Sequence, residues 1–165
     1  NGLSIKSSTK TEITMRKIVA AFVLASVAAT ASAQQTLKPE EMIKYRKAGL
    51  SFMSWNMGKI KANLDGTFNK DQVIASANVV AAMANSGWGA LFGPGTDKEV
   101  GGEKTRVKPE FFEQPDKARE AAMNFNREAN ELAKVAATAD AAAIKAQFSK
   151  TGATCKACHD QFRKD

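Results

Sequence analysis

The chain contains very few of the residues that bind metals or form cross-links, because its 165 residues include only two cysteines and one histidine. Two cysteines can form at most one disulfide, which excludes a small fold held together by several disulfides. A structural zinc site uses four cysteine or histidine ligands, and this chain offers too few. Strand patterns are also missing, since Val, Ile, Thr and Tyr nowhere alternate with polar residues. These absences point to a helical protein whose special chemistry depends on three side chains.

Those three side chains form one motif near the C-terminal end, Cys155-Lys156-Ala157-Cys158-His159. Two cysteines separated by two residues and followed directly by histidine are typical of a c-type haem attachment site. Each thiol would form a thioether with a haem vinyl group, and His159 would ligate the iron from the proximal side. Residues three and four apart share one face of a helix, so the three side chains would point the same way. A redox dithiol is the alternative, but it is typical of a βαβ context that is not found here.

Residues 15–33 have the features of a secretory signal peptide. They begin with a basic region, continue with an apolar run that is too short to span a bilayer, and end with Ala31-Ser32-Ala33, the small-residue pattern of a cleavage site. We therefore expect an exported protein without a membrane anchor and with one domain at residues 34–165. Residues 1–14 are expected to be a disordered or mis-assigned upstream extension. In an oxidising compartment, a disulfide between the two cysteines is the alternative to haem attachment.

The charge of the chain is mildly basic, with a formal net charge of +7 at pH 7. Positive and negative residues are interspersed, and no basic block stands out, so nothing indicates nucleic-acid binding. The excess of positive charge could steer docking to an acidic redox partner, but a solvated surface is the better explanation.

Four amphipathic segments rich in Ala, Lys, Glu, Met and Leu predict helices. They run from about Pro39 to Leu64, from Asn69 or Asp71 to Ser86, from near Pro115 to Ala137, and from Asp140 to Arg163. The stretch between Gly87 and Gln114 is irregular, and its aromatic residues indicate that parts of it are packed, either as a cap on the bundle or as a cofactor lining. Four helices with mostly short links predict an all-α fold, an antiparallel four-helix bundle with covalently bound haem c among facing side chains.

Several residues of the predicted inward stripes have more than one interpretation. Arg46 lies on the apolar side of the first helix, where it is either a snorkelling arginine at the edge of the stripe or a partner for a haem propionate. Met42, Met53 and Met57 share that stripe, so one of them could supply a sixth iron ligand, or all three could fill gaps in the core. Gly152, one turn before the haem motif, is expected to leave room for the haem beside the backbone.

A signal peptide, four helices and CxxCH on the last helix together resemble the cytochromes c prime. The common small soluble cytochrome c carries this motif near its N-terminus instead. Further matching residues lie in the first helix, the irregular stretch and the last helix: Lys44-Tyr45-Arg46, Trp88, Phe92-Gly93-Pro94-Gly95-Thr96, the segment from Thr105 to Glu110, and Arg163.

The resemblance implies a periplasmic, usually dimeric haem protein of bacteria, with five-coordinate iron held by His159. Leu50 matches the apolar residue that forms the distal wall. The residues expected near the haem are Arg46, Lys47, Thr105, Arg106 and Arg163. Dimerisation is expected through the first two helices.

This family assignment predicts a protein that binds nitric oxide or carbon monoxide, transfers electrons to or from a periplasmic redox partner, or does both. Leucine over the iron offers no hydrogen-bond donor, so dioxygen would lose polar stabilisation while nitric oxide and carbon monoxide depend less on it. A low-spin electron carrier with a methionine sixth ligand is the alternative. We do not expect an enzyme, because peroxide cleavage uses a distal acid–base residue, typically a second histidine.

Overall fold

The computed structural model describes residues 37–165, and four long helices account for most of them. They are α1 (Pro39–Asp65), α2 (Lys70–Asn85), α3 (Pro115–Thr138) and α4 (Ala141–Phe162). Each boundary lies within one residue of a predicted one, so the all-α prediction and its four helices are confirmed. None of the helices in this part of the chain combines the length and apolar character needed to cross a membrane. The predicted extension, the signal peptide and the start of the domain at residue 34 lie outside the described residues.

Local capping explains where the helices begin. Pro39 occupies the first turn of α1, and the Glu41 carboxylate accepts a hydrogen bond from the backbone N–H of Lys38 at 2.9 Å. The side chain of Asn69 accepts from Gln72 N at the start of α2, and Asp140 accepts in the same way at the start of α4. Such a cap stabilises a helix by about 1 kcal/mol.

Consecutive helices pack against each other along the bundle, whereas α1 and α4 approach each other less closely. Short links make α1 and α2 antiparallel, and likewise α3 and α4. One core cluster lies toward the α3–α4 link and contains Ile60, Val73, Ala77, Leu132, Ala136 and Ile144. A second cluster contains Met53, Val80, Phe125 and Ala129, and Cys155 packs against it. The second cluster therefore carries the haem motif on its edge.

The buried face of α1 is rotated slightly from the predicted stripe. Arg46, Met53 and Ile60 are buried as predicted, but Ile43, Asn56 and Asn63 are buried as well. The two asparagines satisfy their amide groups locally, by donating to carbonyls one turn earlier, Phe52 O at 2.9 Å and Lys59 O at 3.0 Å. A polar side chain with a partner in its own helix can be buried at little cost, and the apolar pattern does not reveal it. On α3, Ala118, Phe125 and Ala129 are buried, whereas Ala122 is exposed.

The irregular stretch between α2 and α3 is packed against the bundle. It contains a 3₁₀ helix at Trp88–Leu91 and one helical turn at Glu110–Glu113. The Phe92 ring stacks on Phe111 with centroids 4.6 Å apart, and Phe111 meets Phe162 of α4 edge to face at 5.4 Å. The prediction that these aromatics are packed is thus confirmed, and they join the stretch to the end of α4.

Candidate haem site

The haem motif lies on the last turns of α4, where its two cysteines are free thiols and partly buried. The Cys155 Sγ lies 3.6 Å from the carbonyl oxygen of Thr151, one turn earlier. His159 is exposed at the surface, whereas Thr151 and Phe162, which lie eight residues before it and three after it on α4, are buried. The motif therefore runs from the core at Cys155 toward solvent at His159.

Burial raises the pKa of both thiols, and the neighbouring Cys155 raises that of Cys158 further. A disulfide forms through a thiolate, so a raised pKa slows that competing reaction. Partial desolvation of the ring lowers the pKa of His159, and the positive charge of Arg106 lowers it further. The imidazole is consequently neutral near pH 7, which is the form that ligates iron.

Arg163, four residues after His159, lies beside that imidazole. Its Nη1 is 3.2 Å from His159 Nδ1. A guanidinium can only donate hydrogen bonds, so this pair is hydrogen-bonded only when Nδ1 carries no proton. The hydrogen bond between Arg163 and His159 therefore forms with only one tautomer of the imidazole that is predicted to hold the iron.

Leu50 of α1 and Cys155 of α4 lie on the edge of the same cluster, together with Trp88. The structure thus brings the predicted distal residue and the first attachment residue to one place. These two helices are also packed less closely against each other than consecutive helices are. A Cβ added at Gly152 would meet no atom within 4 Å, so there is open space beside α4.

The three methionines of the predicted stripe have apolar surroundings. Met53 is 6% exposed and belongs to the second core cluster, and Met57 packs against both clusters. Met42 lies against the loop, with its sulfur 2.6 Å from the position that a Cβ of Gly93 would occupy. These contacts are those expected of side chains that fill gaps in the core.

Arg46 is buried and holds the irregular stretch against α1. With only 3% of its surface exposed, the prediction of a snorkelling side chain is wrong. Its two terminal nitrogens donate to Leu91 O at 3.0 Å, Thr96 Oγ1 at 2.9 Å, Thr96 O at 2.9 Å and Thr105 Oγ1 at 2.8 Å. The guanidinium carbon also lies 4.5 Å from the centroid of the Phe92 ring.

Protein acceptors use both terminal nitrogens of Arg46, and the predicted contact with a haem propionate stays a prediction. Burial lowers the pKa of Arg46, but an arginine remains charged in proteins and must be paired. A charged residue inside an apolar stripe is a sequence signal for such a buried cluster of acceptors. No local pattern indicates, however, which loop residues provide these acceptors.

The other residues implied by the resemblance lie on the loop side of the bundle. Lys47 forms an ion pair with Glu103 at 2.9 Å, and both side chains are accessible to solvent. Thr105 Oγ1 accepts from the N–H of Val107 at 3.2 Å as well as from Arg46. Val107 pairs with Arg163 in an antiparallel bridge, which brings Arg106 close to the end of α4.

A family model for cytochrome c prime matches residues 41–163. The chain belongs to the cytochrome c prime family. This confirms the predicted family, the four-helix bundle, and haem c as the cofactor. Cytochrome c prime from Allochromatium vinosum is 59% identical over 127 residues, which cover 77% of this chain and 82% of that relative.

Solved cytochrome c prime structures are similar over the same region. One, a cytochrome c prime with a ligand-controlled dimer dissociation, has a TM-score of 0.78 and 57% identity, and covers 79% of this chain and 100% of its own. Another is a nitric oxide complex of a variant from Alcaligenes xylosoxidans, with a TM-score of 0.69 and 29% identity. That match covers 79% of this chain and 99% of the other.

The residues of this cytochrome c prime are suited to haem c. Two unpaired thiols and a neutral imidazole lie on one helix, an apolar cluster adjoins them, and open space lies beside Gly152. A separate groove of about 370 Å³ lies between α3 and α4. The residues that line it include none of the predicted site residues, and on α4 they lie on a different face from the haem motif.

Proposed function

We propose that this cytochrome c prime is a periplasmic haem protein that binds nitric oxide and carbon monoxide and also passes electrons. When bound, haem c supplies an iron atom that can change oxidation state and coordinate a small gas. Cys155 and Cys158 would hold it through thioethers, and His159 would ligate the iron. The observation that carries the proposal is that Leu50 of α1 and Cys155 of α4 pack against one apolar cluster, beside the helix turn that carries His159.

Leu50 determines which gases are favoured. A leucine side chain has no donor, so it gives bound dioxygen no polar stabilisation, while nitric oxide and carbon monoxide need less. The nitric oxide complex of the relative from Alcaligenes xylosoxidans supports the same ligand for this chain. Because the single histidine serves as proximal ligand, no second imidazole is available as an acid–base group, and we propose no enzymatic role.

Electron transfer is supported by the exposed position of His159 at the end of α4. A haem held there would have an edge close to solvent, where a redox partner could approach it. In the alternative, one of the methionines on α1 would be the sixth iron ligand, and only the carrier role would remain. The apolar packing of Met53 and Met57 favours the gas-binding form.

We also propose a homodimer that forms through α1 and α2. On α1, Phe52 and Trp55 are 51% and 57% exposed, and their rings stack at 5.6 Å. Lys59 lies 4.1 Å from the centroid of the Trp55 ring, and Tyr45 is also exposed on α1. Exposed aromatic groups of this kind mark protein interfaces. The ligand-controlled dimer dissociation of the relative supports the same assembly here.

Spectra of the resting ferric protein and of its ferrous form with carbon monoxide test the proposed function. We expect a high-spin resting spectrum and a change on adding either gas. A purely low-spin, six-coordinate resting spectrum would contradict gas binding and leave the electron carrier. Haem should remain attached in denaturant unless both Cys155 and Cys158 are replaced by alanine.

A further inference from the structure

Small side chains create the groove between α3 and α4. Ala121 of α3 and Ala153 and Ala157 of α4 line it, and a methyl group leaves space between two helix backbones that a longer side chain would fill. The groove has a volume of about 370 Å³, which is within the range of pockets that bind small organic molecules. It therefore offers an apolar floor with room for an alkyl chain.

Buried hydrogen bonds fix the spacing of the two helices beside the groove. The backbone carbonyl of Glu128, a residue that lines the groove, accepts from Thr151 Oγ1 at 3.1 Å and from Gln147 Nε2 at 3.2 Å. Both donors belong to α4, and only 0% and 5% of their surfaces are exposed. Hydrogen bonds shielded from water in this way are costly to break, so the groove keeps its shape without a ligand.

The polar residues of the lining leave one positive charge without a partner. Arg127 Nε donates to Glu128 Oε1 at 3.0 Å, and Gln147 Nε2 donates to Glu128 Oε2 at 2.8 Å, so both oxygens of that carboxylate are occupied. Lys150, by contrast, has no carboxylate oxygen within 4.0 Å among residues 37–165. It is exposed, and its ammonium group is thus a free charged donor at the rim of the apolar floor.

We propose that this groove binds the anion of a medium-chain fatty acid. The alkyl chain lies along the methyl groups of Ala121, Ala153 and Ala157, where it is removed from water. The carboxylate binds Lys150 at the rim, with Arg127 on the facing helix. The two parts of such a molecule match the two properties of the site, an apolar floor and a single unpaired cation. Binding is reversible and forms no covalent bond.

Ligands of other charge are less well suited to the groove. Hydrogen bonds from Gln147 and then from Arg127 lower the pKa of Glu128, so this carboxylate is ionised near pH 7. A phosphate ester would bring two negative charges close to it, and a cationic amphiphile would be repelled by Lys150. A monoanion with an apolar body avoids both costs.

The groove is accessible in a monomer and in the proposed dimer, because it lies on α3 and α4, whereas α1 and α2 form the proposed interface. The proposal goes beyond the haem function, since it depends neither on gas binding nor on electron transfer. It assigns a ligand to a face of the bundle that the haem chemistry does not use.

Calorimetric titration of the holoprotein with sodium decanoate, below the concentration at which decanoate forms micelles, tests this proposal. We expect one molecule to bind per chain. Lys150→Gln should weaken binding about tenfold, because it removes the charged partner of the carboxylate. Ala153→Leu should abolish measurable binding, because the larger side chain fills the groove. Acetate, which lacks the alkyl chain, and decyltrimethylammonium, which has the chain but the opposite charge, should each bind at least about tenfold more weakly than decanoate.

The matched controls make the same substitutions at exposed residues outside the groove. Lys104→Gln removes another lysine for which residues 37–165 provide no carboxylate partner, and Ala137→Leu enlarges an alanine near the C-terminal end of α3. Both should keep the decanoate affinity within about twofold of the unmodified protein, because distant sites act independently. Thermal unfolding verifies that each variant is folded, and Lys150→Gln changes only an exposed side chain.

Four results would overturn the proposal. They are the absence of decanoate binding to the unmodified protein, unchanged binding in both groove variants, equal affinity for decyltrimethylammonium, and binding only when the fatty acid is embedded in phosphatidylcholine vesicles. The first three would show that the groove does not recognise a fatty-acid anion, and the last would assign the effect to a membrane surface.

Discussion

Arg46 donates two hydrogen bonds to Thr96, one to Oγ1 and one to the backbone carbonyl, each at 2.9 Å. Both residues are buried, with 3% and 0% of their surfaces exposed. Thr96 Oγ1 in turn donates to Gly93 O at 2.8 Å, so the pair also stabilises the turn that precedes it. This connection determines how the irregular stretch lies over α1, the helix that presents Leu50.

Replacing Arg46 by methionine should lower the free energy of unfolding by about 3 kcal/mol. Acceptors on Leu91, Thr96 and Thr105, which are buried or partly buried, would lose their charged donor. Arg46→Lys should lower the free energy of unfolding by about half as much, because lysine keeps the charge but lacks the planar guanidinium group with its two terminal nitrogens. Urea unfolding of the holoprotein measures both values. A loss below about 0.5 kcal/mol for Arg46→Met would show that the stretch is held by its aromatic packing instead.

Replacing Ser76 by alanine should raise stability by about 1 kcal/mol. Ser76 is fully buried in α2, and its Oγ is the one buried side-chain oxygen or nitrogen of residues 37–165 without a hydrogen-bond partner. Removing it eliminates an uncompensated desolvation cost. Thermal unfolding compares this variant with Thr151→Val. That substitution should lower stability, because the buried Thr151 hydroxyl lies near its acceptors Glu128 O and Gln147 O. If both variants were destabilised, an unseen partner of Ser76 would be indicated.

Replacing Leu50 by alanine should increase the carbon monoxide affinity of the ferrous protein roughly tenfold, because the smaller side chain removes steric crowding over the iron. Leu50→Phe should lower the affinity. Phe52→Ala serves as the control, since that side chain is about half exposed on α1 and should leave the affinity unchanged. Equal affinities in all three variants would mean that Leu50 does not form the distal wall. Optical titration with carbon monoxide measures the effect.

Acid should destabilise the protein partly through Glu128. Gln147 Nε2 donates to its carboxylate at 2.8 Å, and this bond, followed by that from Arg127, lowers the pKa of Glu128 below its ordinary 4.5. The ionised form is thus favoured in the folded state. Its stabilising effect is complete above the ordinary pKa and is lost as the pH falls through the lowered one.

The variant Gln147→Met should therefore have a shallower loss of Tm between pH about 5 and 3 than the unmodified protein. Arg127→Gln should change the slope less, because its ion pair is the smaller contributor and is more exposed. Thermal scans at several pH values compare the three proteins. Parallel curves for all of them would assign the acid sensitivity to other carboxylates.

Charge introduced at Trp55 should separate the proposed dimer. Trp55→Glu places a carboxylate where the exposed aromatic pair would be buried between two copies, so the dimer dissociation constant should rise by about a hundredfold. Met123→Glu on α3 is the control, because this residue is 64% exposed on a helix outside the proposed interface. Sedimentation equilibrium measures both variants. An unchanged association constant for Trp55→Glu would place the interface elsewhere.

The four helices and the haem motif were predictable because their signals are local. Helical periodicity, a proline at the start of α1 and Asp140 before α4 act within a few residues, so the boundaries agree with the structure. The face that unites Cys155, Cys158 and His159 also follows from the geometry of a single helix. These properties were determined by the sequence by itself.

The tertiary structure alone decided the partners of Arg46, the burial of Asn56 and the pairing of the loop with α4. Each depends on groups that are distant in sequence or on which face meets a neighbour; Arg46 and Thr105 are 59 positions apart. An apolar pattern shows that a side chain faces inward, but it does not identify which carbonyl or hydroxyl will accept its hydrogen bonds. For the same reason the pairing of Arg106 and Lys108 with Phe162 and Lys164 emerges only in the fold, since it depends on backbone hydrogen bonds that no local pattern encodes.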